Sequence, residues 1–316
     1  MYPNVEIIVV DNESEPGALD KLSSEFKDAH FFPFKENLNY AEGNNYGITK
    51  SKGDFIVLLN NDTVVENNWL DPLVEEGLVN PRAFYQPLIF LLDRPGHIFS
   101  LGCTMNPLGI AFPIGIGKHI SEIGIPKEKA EVFYCVGACI FTSRQTINEV
   151  GGFDSNYWTY YEDVNLGWKG KLRGIPSFIV PSSRVYHKWG GTYGQKLSPR
   201  KLYLLERGRY SSILRNYSIR SIVIISAVVF IFDLAILVFL LPKHMAIAKI
   251  HASLDVLKNL RPLIKDRKKV QRARIKKDGD ICKYMSPCIE HPLIGRIPNI
   301  AQKLLVWVSE LLIDIL

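Results

Sequence analysis

The stretch from Asp54 to Leu70, DFIVLLNNDTVVENNWL, constrains this chain most. Five apolar residues, Phe55 to Leu59, run without a break into Asn60, Asn61, Asp62 and Thr63. An unbroken apolar run containing Ile and Val predicts a strand buried on both faces. A polar cluster at its carboxyl end lies where open α/β sheets bind ligands. Asp62 is a hard oxygen donor at that place, suited to a divalent cation carrying phosphates. Glu66 to Leu70 then reads as a helix entry, with Asn67 or Asn68 as its N-cap. The plainer alternative is a strand, a turn and a helix capped by Asp62.

The pattern occurs twice. Val5 to Val10 is another apolar strand that ends in Asp11, Asn12, Glu13 and Ser14. A short helix is expected over Ala18 to Phe26. Phe31 to Phe34 reads as an edge strand because of Pro33. A polar, glycine-bearing loop, Glu36 to Gly47, runs into a helix that ends near Ser51. Strands alternating with helices predict a mostly parallel, Rossmann-like sheet. From Pro81 to Lys129 dense Gly and Pro predict irregular or short β structure beside the site. Val132 to Phe141 reads as one strand, and Ser177 to Pro181 and Arg184 to Tyr186 as two more. Between them, five aromatics from Phe153 to Tyr161 precede Glu162 and Asp163, which open a helix over Val164 to Leu172. His187 follows the last strand. No G-x-G-x-x-G follows any strand, which excludes a dinucleotide-binding fingerprint.

The charge is uneven. The chain carries a formal +6, yet Lys243 to Lys277 alone holds twelve Lys/Arg against two Asp. The basicity therefore belongs to one segment. Before it, Leu202 to Tyr217 reads as a basic helix. Ser221 to Leu241 is then 21 residues with one charge, Asp233. It is long enough for a transmembrane or membrane-inserted helix, or else is a buried helix of a soluble fold. In either case Asp233 should face protein, water or an interface. Ile247, Ile250, Leu254 and Leu257 at helical spacing among lysines predict an amphipathic basic helix suited to an anionic membrane surface. Gln302 to Leu316 reads as one more interfacial or packing helix. Five unpaired cysteines predict no disulfide framework and no zinc site. No signal peptide and no nucleic-acid partner are expected.

Taken together, YPNVEIIVVDNES, ENLNYAEGNNYGI, FIVLLNNDTVVENNWL, GGFDSNYWTYYEDVNLGWK and VYHKWGGT resemble the family 2 glycosyltransferases, in particular their rhamnosyltransferase-like subset. The resemblance covers roughly residues 2 to 220. It implies the A-type glycosyltransferase fold and an inverting transfer from a nucleotide-diphosphate sugar to a glycan or lipid-linked acceptor. It places Asp11 and Asn12, with Asn39, Gly43 and Asn44, against the nucleotide, and Asn60 and Asn61 beside them. It gives Asp62 and His187 to the metal or diphosphate and the Glu162–Asp163 pair to the base. The expected layout is a catalytic domain over 1–220, a membrane helix over 221–241 and a basic helical tail over 242–316. A domain using nucleotide sugars is expected to face the cytoplasm.

The chemistry asks for the same residue types. A departing diphosphate needs a divalent cation, Mg or Mn, as Lewis acid and template. Asp62 and His187 supply mixed ligands for it, which leans toward manganese. An inverting displacement needs one base opposite the leaving group, for which Asp163 is chosen with Glu162 as neighbour. The helix N-terminus lowers Asp163's basicity, and burial is expected to offset that. Tyr157, Trp158 and Tyr161 are either an acceptor platform or core, and Glu162–Asp163 is alternatively a simple helix cap. The sequence departs from the family pattern in three ways. Asn60 stands where D-x-D has its first carboxylate, Asn165 stands where another Asp is common, and the start aligns with the family's second strand. The Val5–Val10 strand is therefore expected to lack a neighbour on one side. These departures carry the rival reading, a catalytically inactive relative that binds a nucleotide sugar or a partner enzyme.

Overall fold

A computed structural model describes residues 4–15, 17–190, 194, 196–241 and 244–288, and positions 303, 306, 307, 310 and 311. Apart from those last positions, the helix expected over Gln302 to Leu316 lies outside the described residues, as does Lys243.

The first half comprises β1 (Ile7–Asn12), α1 (Ala18–Glu25), β2 (Ala29–Phe34), α2 (Asn39–Lys50), β3 (Phe55–Leu59), β4 (Thr63–Val65), α3 (Leu70–Val79) and β5 (Phe84–Leu91). Short strands follow as β6 (Ile98–Ser100), β7 (Cys103–Met105), β8 (Ala111–Pro113) and β9 (Ala130–Val132). Then come β10 (Cys139–Ser143), α4 (Arg144–Val150), α5 (Glu162–Leu172) and β11 (Ser177–His187). The chain continues in helices: α6 (Pro199–Asn216), α7 (Ile219–Leu240), α8 (Ala246–Lys258), α9 (Leu260–Arg272) and α10 (Asp278–Cys282).

The main sheet runs β3-β10-β5-β11-β4, with β6 on β5 and β9 on β11. Among the described residues its only parallel pairing is β5 with β11. β10 runs against both β3 and β5, and β4 runs against β11. The sheet is therefore mixed, not mostly parallel. Crossover helices make parallel pairs, but no helix lies between β5 and β10, and the short strands β6 to β9 deliver β10 antiparallel to β5. The strand expected over Val132 to Phe141 is split by the loop between β9 and β10. The expected loop from Glu36 is also shorter, because α2 already begins at Asn39.

The main surprise is β5. In place of irregular structure, Phe84–Leu91 is a central strand buried at all eight positions. Pro87 hid it, since proline cannot donate to a ladder. In the fold Pro87 pairs with Val180, where the β11 register jumps to Arg184. The missing N–H falls at a bulge, where the ladder is already interrupted. That bulge also explains why the two strands expected between Ser177 and Tyr186 are one.

β1 and β2 form a separate parallel pair. Among the described residues nothing pairs with the other edge of β1, and Ile7 is 53% exposed. β3 is likewise not buried on both faces: Ile56 and Leu58 are buried, while Leu59 is 42% exposed. Both strands border one large cleft.

The basic helix is not a basic surface. In α6, Arg209 and Arg215 are buried. Arg209 pairs with Glu206 at 2.8 Å and also with Asp233 of α7. Lys249 of α8 pairs with the same two carboxylates. Tyr210 donates its hydroxyl to Asp233 at 2.9 Å. Asp233 thus faces protein. Burial alone would raise the Glu206 carboxyl, but Arg209 and Lys249 outweigh it and hold it at about 2. Breaking such a pair strands the partner charges in a dry site. Arg209→Met should lower unfolding free energy by about 3–5 kcal/mol, measured by urea denaturation.

Candidate active site

A cleft of about 2250 Å³ gathers most of the residues singled out by sequence. Asp11, Asn12, Asn39, Gly43, Asn44, Asn60, Asn61, Asp62, Glu162, Asp163 and His187 all line it. Trp158 and Tyr161 line it too, but Tyr157 does not.

The Asp11 wall is built by local bonds. Asp11 Oδ1 accepts the Ser14 N–H at 3.1 Å. Asn12 ties β1 to the start of α2, accepting from Leu38 N–H at 2.5 Å and donating to Asn37 Oδ1 at 3.0 Å. Asn39 sits at φ +61°, and its side chain accepts the Glu42 N–H at 3.1 Å within the first turn of α2. Asn44 donates to Tyr40 O at 2.8 Å. A Cβ at Gly43 would lie 3.8 Å from Val10 Cγ1, so that glycine also packs α2 on β1.

Asp62 and His187 come from β3's carboxyl end and from the last residue of β11, which lies opposite Thr63. His187 Nε2 lies 3.2 Å from Asp62 Oδ1. This close approach is not an aligned hydrogen bond, since the buried Asp62 Oδ1 has no hydrogen-bond partner, and His187 Nδ1 has none either. Burial would raise the Asp62 carboxyl, but His187 and Lys188 outweigh it and hold it below its ordinary value. Two ligands on adjacent octahedral positions, each ~2.1 Å from a cation, stand ~3 Å apart. The pair therefore fits as two protein donors to one divalent cation, with phosphate and water completing its shell. No cluster of three or more His, Cys, Asp or Glu exists among the described residues to hold a metal by protein alone.

Glu162 and Asp163 start α5, presented by Tyr160 and Tyr161, which both take left-handed backbone angles (φ +66° and +70°). Asp163 accepts from Gly137 N–H at 2.9 Å and from Val164 N–H at 2.7 Å. Burial still pushes its carboxyl above the ordinary range. Glu162 is 6% exposed, with Oε2 unpartnered, and its carboxyl is raised further by burial and then by Asp163. Burial thus does offset the helix terminus. Asn165 points away: its Oδ1 accepts from Asn216 in the core at 3.0 Å. A carboxylate there would be buried behind the site.

The aromatics divide. Tyr157 is a core residue, its hydroxyl 2.8 Å from Ser212 Oγ and its ring against Arg215. It is not an acceptor contact, because burial leaves it no face toward the cleft. Tyr161 is also mostly buried and donates to Gly109 O at 2.8 Å. Trp158 is 42% exposed and offers the open aromatic face.

Sequence reading missed Tyr40, Gly137 and Lys201. Tyr40 donates its hydroxyl to Gly137 O at 2.6 Å, and so holds the peptide that donates to Asp163. Lys201 is a buried cation on the cleft wall, bonded to Gly194 O at 3.0 Å. A glycine interrupting an apolar run was the only available signal for this loop.

The raised Glu162 carboxyl makes stability depend on pH. A carboxyl whose folded pKa is raised contributes stability below its unfolded pKa, and loses it as pH rises through the folded one. Each unit of difference is worth ~1.4 kcal/mol. Stability should fall as pH rises from about 4 through that raised pKa, and Glu162→Gln should flatten this limb and raise Tm at neutral pH. Thermal scans of both forms across pH measure it; equal slopes would contradict the buried charge.

Comparison with known proteins gives a consistent picture. The family model described as Glycosyl transferase family 2 matches residues 1–151. The O-antigen biosynthesis protein RfbC of Myxococcus xanthus is 24% identical over 222 residues, 66% of this chain and 17% of that protein. N-acetylglucosaminyl-diphospho-decaprenol L-rhamnosyltransferase of Mycobacterium tuberculosis is 26% identical over 206 residues, 58% of this chain and 66% of that enzyme. The chain therefore spans under two thirds of the length of either relative. The crystal structure of GalNAc-T7 with UDP, GalNAc and Mn2+ shares the fold at TM-score 0.54 and 17% identity, covering 66% of this chain and 41% of that one.

Proposed function

Starting from a chain that belongs to the family 2 glycosyltransferases, we propose that it moves a sugar from a nucleotide-diphosphate donor to a hydroxyl of a glycan or lipid-linked acceptor, with inversion. The observation that carries this reading is one cleft lined by two unlike acidic sites. Asp62 is held low beside His187, while Asp163 is pushed up at the start of α5. A group kept ionised suits cation and phosphate binding; a group of raised basicity suits proton abstraction.

In this mechanism Asp11 and the α2 entry hold the nucleotide. Asp62 and His187 would hold a divalent cation, which when bound would neutralise charge on the departing diphosphate. The acceptor oxygen attacks the anomeric carbon, the bond from that carbon to the diphosphate oxygen breaks, and the acceptor proton passes to Asp163. Gly137 N–H and Val164 N–H orient the Asp163 carboxylate, and Tyr40 holds Gly137 in place. Trp158 offers the acceptor an apolar platform. The mycobacterial and Myxococcus relatives make a deoxyhexose such as rhamnose the first donor to assay, and cell-surface polysaccharide synthesis the setting. The apolar α7 attaches the protein to a membrane, with the cleft on the cytoplasmic side where nucleotide sugars are made.

Asp163→Asn should lower transfer by roughly 10²- to 10⁴-fold, while donor binding by calorimetry stays within about threefold. Near-normal turnover would move the base to Glu162 or elsewhere. Asp62→Ala and His187→Ala should each weaken Mn2+ binding in the presence of nucleotide diphosphate by at least ~10-fold, read by electron paramagnetic resonance. Unchanged Mn2+ affinity in both would remove the cation from this pair. The single carboxylate in Asn60-Asn61-Asp62 favours the second reading, a non-catalytic nucleotide-sugar binder. Donor binding without transfer or hydrolysis across acceptors would support that reading.

A further inference from the structure

α7 is the one helix among the described residues that is long and apolar enough to cross a membrane. We propose instead that it lies in the plane of an anionic bilayer, half immersed. In that seating the α7 wall of the cleft lies at the lipid surface. To the transferase reading this seating adds the direction from which an acceptor arrives.

α7 has two faces along its whole length. The inner face packs on the fold from Ile225, 1% exposed, to Leu240, 3% exposed. Ile222, Val229 and Phe232 join the core around Trp168, and Ile236 joins the cluster around Leu202. Midway, Asp233 is tied to Arg209, Tyr210 and Lys249. The outer face is apolar but for Ser226: Val223, Phe230, Leu234 and Val238 are 66%, 70%, 53% and 59% exposed. A 22-residue helix is ~33 Å long. Standing it across a bilayer would draw α6 alongside it into hydrocarbon, with Glu206, Arg207 and Arg209. Ionic side chains at that depth are costly. Lying flat, α7 immerses only its outer stripe, ~5–10 Å deep, as interfacial helices do.

The neighbouring helices indicate lipid and not a second copy of the chain. α8 leaves a second apolar stripe exposed, Ile247, Ile250, Leu254 and Leu257. Lys258, Arg261, Lys265, Lys268 and Lys269 follow it at exposed positions. Two copies meeting through this region would bring like charges together, whereas an anionic surface accepts them. Ala235 and Phe239, exposed beside the outer stripe, line the cleft together with the inner-face Phe232 and Ile236, and the cleft continues to Tyr160 and Asp163. In this seating a lipid-anchored acceptor enters the cleft along α7.

The test uses the full chain and needs neither donor nor acceptor. Cys288→Ser removes the one native cysteine that is not buried. Single cysteines replacing Val223, Phe230, Leu234 and Val238 then carry a nitrobenzoxadiazole label. With 3:1 phosphatidylcholine–phosphatidylglycerol vesicles, lipids quenching at known depths should place all four labels at one shallow depth. Binding should be about tenfold weaker to pure phosphatidylcholine. A label at Phe230, near the helix midpoint, ~10 Å deeper than those at Val223 and Val238 would show a spanning helix and overturn the proposal. So would four labels indifferent to vesicles on a protein that dimerises. Equal binding to both vesicle types would overturn the anionic preference. Because no sugar is transferred in the assay, its failure leaves the reading of the cleft untouched.

Discussion

Residues 136–138 hold the site together. Val136 N–H donates to Gln86 Oε1 of β5 at 2.8 Å. Gly137 N–H donates to Asp163 of α5, and Gly137 O accepts from Tyr40 of α2. Ala138 O accepts the Asn60 N–H at the end of β3 at 3.0 Å. Three successive residues thus tie the central strand, two helices and the turn before Asp62. A Cβ at Gly137 would meet the Tyr40 hydroxyl at 3.0 Å, so the close approach asks for glycine. Buried backbone groups must find partners. Here the partners are the groups whose positions matter.

The hub separates two electrostatic environments within one cleft. On the β3 side an imidazole and a lysine hold Asp62 ionised. On the α5 side burial opposes ionisation of Glu162 and Asp163, and only backbone donors favour it. A fold gains nothing in stability from two carboxylates crowded at a buried helix start. That arrangement is the kind of strain found where a group must be basic.

The same balance governs the helices beyond the sheet. Glu206, Arg209, Asp233 and Lys249 neutralise one another where no charge would survive alone. Their mutual attraction offsets desolvation only because each carboxylate meets both cations. The cluster fixes which face of α7 turns inward. The remaining face is then apolar over several turns, and its surroundings are basic.

Periodicity and composition alone determined much of this protein. The strands ending at Asp11 and Asp62, the helix starting at Glu162 and the long apolar helix were all legible, because each is a local pattern with a sharp chemical boundary. The segment from Pro81 was not legible. Whether a proline breaks a strand depends on what pairs with it, and the β11 bulge opposite Pro87 is 90 residues away in the chain. The reversal of β10 was hidden for the same reason, since strand direction belongs to the connection and not to the strand. Tyr157 and Trp158 are adjacent and chemically alike, yet one is core and the other lines the cleft. Only the packing of α6 decided between them. Only tertiary structure, too, could turn Asp233 from an awkward charge in an apolar run into the contact that orients it. Sequence carries the periodicity of each element, but pairing, burial and charge neutralisation are properties of elements in contact.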